Sequence, residues 1–161
     1  MAYYYLGIDP GISGALAVLD ENENIVQIFD MPTLEVITGK SKKQRVNPQS
    51  IVSELRLFKQ DRVEGLIEQV NAMPNQGVTS MFSFGRSLGV LEGVLAGLDI
   101  PYTLVTPSVW KKRMQVNSSK DGARDLAMRT WSSKSDLFKR KKDDGRAEAA
   151  LIALFLVRER K

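Results

Sequence analysis

Tyr3-Tyr4-Tyr5-Leu6-Gly7-Ile8-Asp9-Pro10-Gly11 opens the chain with a β-favouring run that stops at a tight-turn signal. The strand therefore ends on a carboxylate, Asp9, where the apolar residues run out. Working outward, Gly14–Leu19 is a second apolar run, closed by Asp20-Glu21-Asn22, and Ile25–Met31 is a third, which together predict a three-strand meander. Thr33–Arg45 is poor in apolar residues, carries Lys40, Lys42, Lys43 and Arg45, and reads as a mobile basic loop. Asn47-Pro48 supplies a helix cap and a proline for the first turn, predicting a helix to about Lys59. Val63–Val70 reads as a strand, Asn71–Gly77 as a loop, Ser80–Leu98 as a helix and Tyr102–Thr106 as a fifth strand. Helices are expected over Ser119–Trp131 and Arg146–Arg158. A meander followed by strands that alternate with helices predicts one α/β domain over residues 1–161, with a mixed five-stranded sheet flanked by helices.

Composition removes several chemistries. Among 161 residues there is no cysteine and no histidine. Disulfides, thiol nucleophiles, Ser-His-Asp triads, His-ligated zinc and histidine acid–base catalysis are therefore excluded. What remains are carboxylates, lysines, hydroxyls and a metal held by oxygen. The net charge of +4, with a pI near 9.4, leans towards an anionic partner. Ala149–Val157, the longest apolar run, is too short for a membrane span. No basic segment precedes an apolar stretch at the N-terminus, so a cytoplasmic location is the default expectation.

Carboxylates stand at three places where a soluble fold gains nothing from them. Asp9 ends the first strand, Glu68 sits near the end of the apolar strand Val63–Val70, and Asp143, Asp144 and Glu148 straddle the start of the last helix. Asp9 alone has a bland explanation as a turn residue, and Asp143 with Asp144 as favourable partners of a helix dipole. Glu68 is harder to account for, since a carboxylate in a buried strand is costly unless it is paired or metal-bound. Asp144 and Glu148 share a helix face if the helix has begun by Asp144. Strand ends and a helix N-terminus converge at one edge of an α/β sheet, and a hard divalent cation resolves the repulsion of clustered carboxylates. Two such ions about 4 Å apart can activate a water and steady the leaving oxygen of a phosphodiester.

The Ser80–Leu98 segment carries two stripes. Met81, Phe84, Leu88, Leu91, Leu95 and Leu98 repeat at helical spacing and are expected to face the core. Gly85, Gly89, Gly93 and Gly97 recur at every fourth position. Each glycine costs a helix interior roughly 1 kcal/mol against alanine, so close approach of another backbone is the expected compensation. That backbone belongs either to the same subunit or to the equivalent helix of a symmetric dimer.

Several stretches resemble one known family. Gly7-Ile8-Asp9-Pro10-Gly11, Ile67-Glu68-Gln69-Val70 and Lys142-Asp143-Asp144-Gly145-Arg146-Ala147-Glu148-Ala149 are similar, in this order and spacing, to the motifs of RuvC-type Holliday junction resolvases, and most to the bacteriophage-type branch. Met73-Pro74-Asn75-Gln76-Gly77, Phe82-Ser83-Phe84-Gly85-Arg86 and Thr106-Pro107-Ser108-Val109-Trp110-Lys111-Lys112 lie between them and support the likeness. It spans nearly the whole chain and is weakest over Thr33–Pro48. The resemblance implies a ribonuclease H-like fold, a homodimer, and Mg²⁺-dependent nicking of four-way DNA junctions that leaves 5′-phosphates and 3′-hydroxyls. Two Mg²⁺ ions per site, replaceable by Mn²⁺, would be held by Asp9, Glu68, Glu148 and either Asp143 or Asp144. Helix geometry favours Asp144, whereas the phage-type motif keeps an acid at Asp143. Lys111 and Lys120 fall where family members carry lysines near the scissile phosphate. One departure concerns the aromatic wedge three residues after the strand glutamate, where this chain has Asn71. Met73 and Phe82 are the substitutes it offers.

Lys40, Lys42, Lys43, Arg45, Arg86, Lys111, Lys112 and Lys139–Lys142 would together follow phosphate backbones, provided that they cluster in space. Three rival readings remain. Actin-like kinases and ATPases share the opening turn, but their nucleotide cleft needs about twice this length and a second glycine-rich phosphate loop. A silent clamp on branched DNA would not need the carboxylates. An endonuclease for forks and flaps as well as junctions would keep the same site.

Overall fold

The structure, a computed structural model, describes all 161 residues. Strands β1 (Tyr3–Asp9), β2 (Ala15–Asp20) and β3 (Ile25–Asp30) form the expected antiparallel meander. The chain then forms a separate hairpin of β4 (Thr33–Thr38) and β5 (Ser41–Val46), helix α1 (Pro48–Leu55), and strand β6 (Arg62–Glu68), which runs parallel to β1. Helix α2 (Val78–Gly97) leads to β7 (Tyr102–Val105), parallel to β6. Helices α3 (Pro107–Arg113), α4 (Gly122–Thr130) and α5 (Asp144–Arg160) complete the chain. The main sheet has the order β3-β2-β1-β6-β7, so the mixed five-stranded sheet is present as expected.

Two apolar layers cover the sheet. Alternation along β1 sends Tyr5 to a 23-residue core under α3, α4 and α5, and Leu6 and Ile8 to a 14-residue core under α1 and α2. The middle of helix α5 is apolar on every side because it is buried on every side: all residues from Ala149 to Val157 are inaccessible or nearly so. No helix is long and apolar enough to cross a membrane.

Glycine 7 sets how closely α5 lies on the sheet. A Cβ built there would stand 2.1 Å from the Ala149 carbonyl oxygen and 2.4 Å from the Ala153 nitrogen, so any side chain would push the helix away. A Cβ on Gly145 would likewise meet the Ser13 carbonyl oxygen at 2.5 Å. These two contacts seat the N-terminus of α5 against the turn that follows β1.

Thr33–Arg45 is a hairpin rather than the expected mobile loop. Thr33, Val36, Ile37 and Thr38 carry the β-favouring content that the lysines mask. Gly39, at φ +61°, takes the first central position of a two-residue turn, where the left-handed region favours glycine. Lys42 pairs with Glu35 across the strands at 3.4 Å. The stripe expected to bury one face of α2 also needs correction. Leu91 and Leu95 are buried and Phe84, Leu88 and Leu98 half-buried, but Met81 is exposed. Buried positions on this helix begin only at Ser87, so its first two turns have no core beneath them.

Candidate metal centre

Strand register alone brings the first two acids together. Ile8 of β1 lies opposite Ile67 of the parallel strand β6, and both point into the α1/α2 core. The next residue on each strand, Asp9 and Glu68, therefore points to the other face, towards α5. Because the strands are parallel, both acids stand at the same sheet edge. There α5, seated by Gly7 and Gly145, presents Glu148. One carboxylate oxygen from each of Asp9, Glu68 and Glu148 lies within 4.8 Å of the others.

Asp143 and Asp144 face different ways. Asp143 is 1% exposed and clamped by Arg140, which donates from its backbone nitrogen at 2.9 Å and from Nη2 at 2.8 Å. Arg146 lies 3.9 Å away. Burial works against ionisation of Asp143, but the Arg140 bonds outweigh it and hold the carboxyl below the usual aspartate range. Asp144 opens α5 one turn before Glu148, and its Oδ1 is buried with no hydrogen-bond partner. Both oxygens of Asp143 are engaged, whereas Asp144 has one to spare.

The cluster repels itself. Burial pushes Asp9 well above the ordinary carboxylate range, and the neighbouring charges of Glu148 and Glu68 push it further. Burial also raises Glu68, opposed by a hydrogen bond of 2.6 Å from the Trp110 indole. Lys111 donates to Glu148 at 2.9 Å. Burial favours neutral Lys111, but its bond to Glu148 prevails and keeps the ammonium charged. An all-oxygen donor set and mutual repulsion suit a hard divalent cation held by Asp9, Glu68 and Glu148, and Asp144, with its orphaned buried oxygen on the same cleft, is a fourth acid beside them.

Two clefts flank the acids, and Asp144 and Glu148 line both. One, of about 390 Å³, is bordered by Lys111, Lys112, Asn117, Ser119 and Lys120. The other, of about 450 Å³, is bordered by Asp9, Gly11, Ser13, Phe84, Lys141 and Lys142. Lys120 thus stands beside the acids, as does Lys112. The remaining cations are dispersed. Lys40, Lys42 and Lys43 are exposed on the β4–β5 hairpin, while Arg45 at its base shares a small crevice with Arg86 of α2. Met73 and Phe82 are 65% and 69% exposed and flank the start of α2, so no core contact accounts for either.

Sequence reasoning gave Trp110 no role of its own. The clue was available in Glu68, a buried carboxylate that needs a donor, because an indole N–H serves only as a donor. Asn117 and Ser119 were also missed, since nothing in their local sequence marks them as cleft residues.

No protein-family model matches the chain, and no curated protein does. Solved structures do. Thermus thermophilus RuvC in complex with Holliday junction substrate superposes with a TM-score of 0.65 at 16% identity, over 99% of this chain and 95% of that one. A second Thermus thermophilus RuvC structure gives 0.55 at 17% identity, over 99% and 96%. The chain thus has the RuvC, ribonuclease H-like fold expected from its motifs.

Proposed function

We propose that this protein is a metal-dependent, structure-selective DNA endonuclease that resolves four-way junctions by paired nicks. The observation that carries the reading is the convergence of Asp9, Glu68 and Glu148 within 4.8 Å, between lysine-bordered clefts, on a fold shared with a RuvC that was solved on a Holliday junction. A linear duplex would satisfy the cations equally well, so junction selectivity rests on the whole dimer rather than on this site.

Asp9, Glu68, Asp144 and Glu148 would hold Mg²⁺ or Mn²⁺, with Asp9 central to the group. Bound there, a pair of such ions supplies Lewis-acid activation of water and stabilises the departing oxygen. The protein's own residues supply the rest. Lys111, whose ammonium is hydrogen-bonded to Glu148, would offset charge that develops on the phosphate. Lys120, on the same cleft, would supply a second positive charge to the same phosphate. Water oxygen bonds to phosphorus as the bond to the 3′ oxygen breaks, leaving a 5′-phosphate and a 3′-hydroxyl. The attacking water gives its proton to a carboxylate or to solvent, and the departing 3′ oxygen takes one from solvent, since the chain has no histidine to carry either. Lys141 and Lys142 border the second cleft, where the same strand would continue past the acids.

A second copy completes the enzyme, because resolution needs two symmetric nicks. The surface of α2 at Gly85, Gly89, Gly93 and Gly97 is open: no atom lies within 4 Å of a Cβ built at any of them. No backbone of this chain packs against these glycines, which favours close approach of the same helix in a partner. Phe82, in the first turns of that helix, and Met73, in the loop before it, are exposed and are the side chains this reading assigns to contact with unpaired bases at a junction centre.

Asp9→Asn and Glu68→Gln are expected to bind a junction as tightly as wild type and to cleave it at least 100-fold more slowly in Mg²⁺, roughly the loss that follows removal of a key transition-state contact. Binding is read by gel shift in Ca²⁺ and cleavage by single turnover. Wild-type cleavage by either variant would disprove the assigned centre.

A further inference from the structure

Glu68 is 5% exposed, and its carboxylate accepts one hydrogen bond, from Trp110 Nε1 to Oε2 at 2.6 Å. Trp110 is inaccessible to solvent and packed in the core beneath α3, α4 and α5. A carboxylate on a flexible stem can present either oxygen in several orientations. An indole locked in a packed core removes that freedom, because the ring cannot turn without opening a cavity. The neighbouring residue acts in parallel, since Lys111 holds Glu148 Oε1 at 2.9 Å. Two adjacent residues of one short helix, α3, thus carry anchors for two of the three converging acids.

We propose that Trp110 is a positioning residue of the metal centre: its indole N–H holds Oε2 of Glu68 so that Oε1 is presented to the cation. The proposal rests on the metal-centre reading above. An indole donates and never accepts, so its partner oxygen stays a carboxylate oxygen and the bond persists when a cation arrives on the other side. Partners of metal ligands typically change metal affinity by about 10- to 100-fold when removed. Trp110→Phe keeps an aromatic ring in the core and deletes the donor.

The test measures Mn²⁺ binding by electron paramagnetic resonance, without DNA, for wild type, Trp110→Phe and Glu68→Gln. The expected result is Mn²⁺ binding that is lost in Glu68→Gln and weakened about tenfold or more in Trp110→Phe. Single-turnover cleavage by Trp110→Phe should recover towards wild type as Mn²⁺ is raised, with junction affinity unchanged. Binding lost in Glu68→Gln but unchanged in Trp110→Phe would overturn the proposal and leave the metal centre standing. Wild-type binding no tighter than that of Glu68→Gln would remove the metal centre itself. Should Trp110→Phe not fold, the wild-type protein still answers through its two indole N–H resonances, assigned with Trp131→Phe. The Trp110 signal should move on addition of Mg²⁺ and in Glu68→Gln, while that of Trp131, which donates to the Glu23 carbonyl oxygen at 2.8 Å, stays. A Trp110 signal insensitive to both changes would overturn the proposal.

Discussion

Asp143 and Asp144 are adjacent identical side chains with opposite environments. Arg140 engages both oxygens of Asp143 at the start of α5, whereas Asp144 lines the cleft beside Asp9 and Glu148 and keeps a buried oxygen without a partner. Asp143→Asn is accordingly expected to lower the melting temperature by roughly 3–8 °C, as loss of buried charge-assisted bonds in a chain of this size does. Asp144→Asn should leave the melting temperature in EDTA unchanged or raised, while cleavage is lost. Thermal unfolding of both variants beside single-turnover cleavage separates the roles, and the opposite pattern would exchange them. The pH dependence follows from the lowered pKa of Asp143. Its stabilisation is fully present above the ordinary aspartate range and is lost as pH falls through the lowered folded value. The sequence left the choice between the two open, because spacing alone cannot show that Arg140 folds back on its third neighbour. Glu68 was legible for the opposite reason: a carboxylate ending an apolar strand conflicts with its surroundings wherever the chain places it.

At the scale of elements, strands and helices with clear periods were legible, and the hairpin was not. In β1, β2 and β6 apolar runs end at turn residues, and both cores depend on their alternation. The β4–β5 hairpin buries almost nothing, so its alternation carries no hydrophobic signal and its lysines dominate the reading. The outcome sharpens its expected part in DNA binding, because a hairpin holds Lys40, Lys42 and Lys43 on a defined arm where a mobile loop would not. Replacing Lys40, Lys42 and Lys43 together by glutamine should weaken junction binding and flatten its dependence on salt by close to one phosphate contact per lysine, with cleavage of the bound junction unchanged. An unaltered salt slope would remove the arm from the DNA. The glycines of α2 were legible as an anomaly, and the structure leaves their face open, but a single sequence cannot say which backbone approaches. Gly89→Leu is expected to shift the mass in solution from dimer to monomer, checked by light scattering. A folded variant of unchanged mass would place the interface elsewhere.

For the molecule as a whole, the site depends on how three distant segments meet. Parallel pairing sets Asp9 beside Glu68, and two glycines let α5 bring Glu148 and Asp144 to the same edge. The order and spacing of the motifs in the sequence anticipated this convergence, while the clefts, the Trp110 anchor and the open helix face exist only in three dimensions. The most direct test of the function is a gel assay of purified protein on a four-way junction, a fork and a linear duplex, with and without Mg²⁺. The expected result is paired, symmetric nicks confined to the junction and dependent on the metal, with 5′-phosphate ends. Nicks in the fork as well would keep the active site and widen its substrate to branched DNA. Junction binding with no cleavage in Mg²⁺ or Mn²⁺ would contradict the assignment and make the protein a clamp on branched DNA.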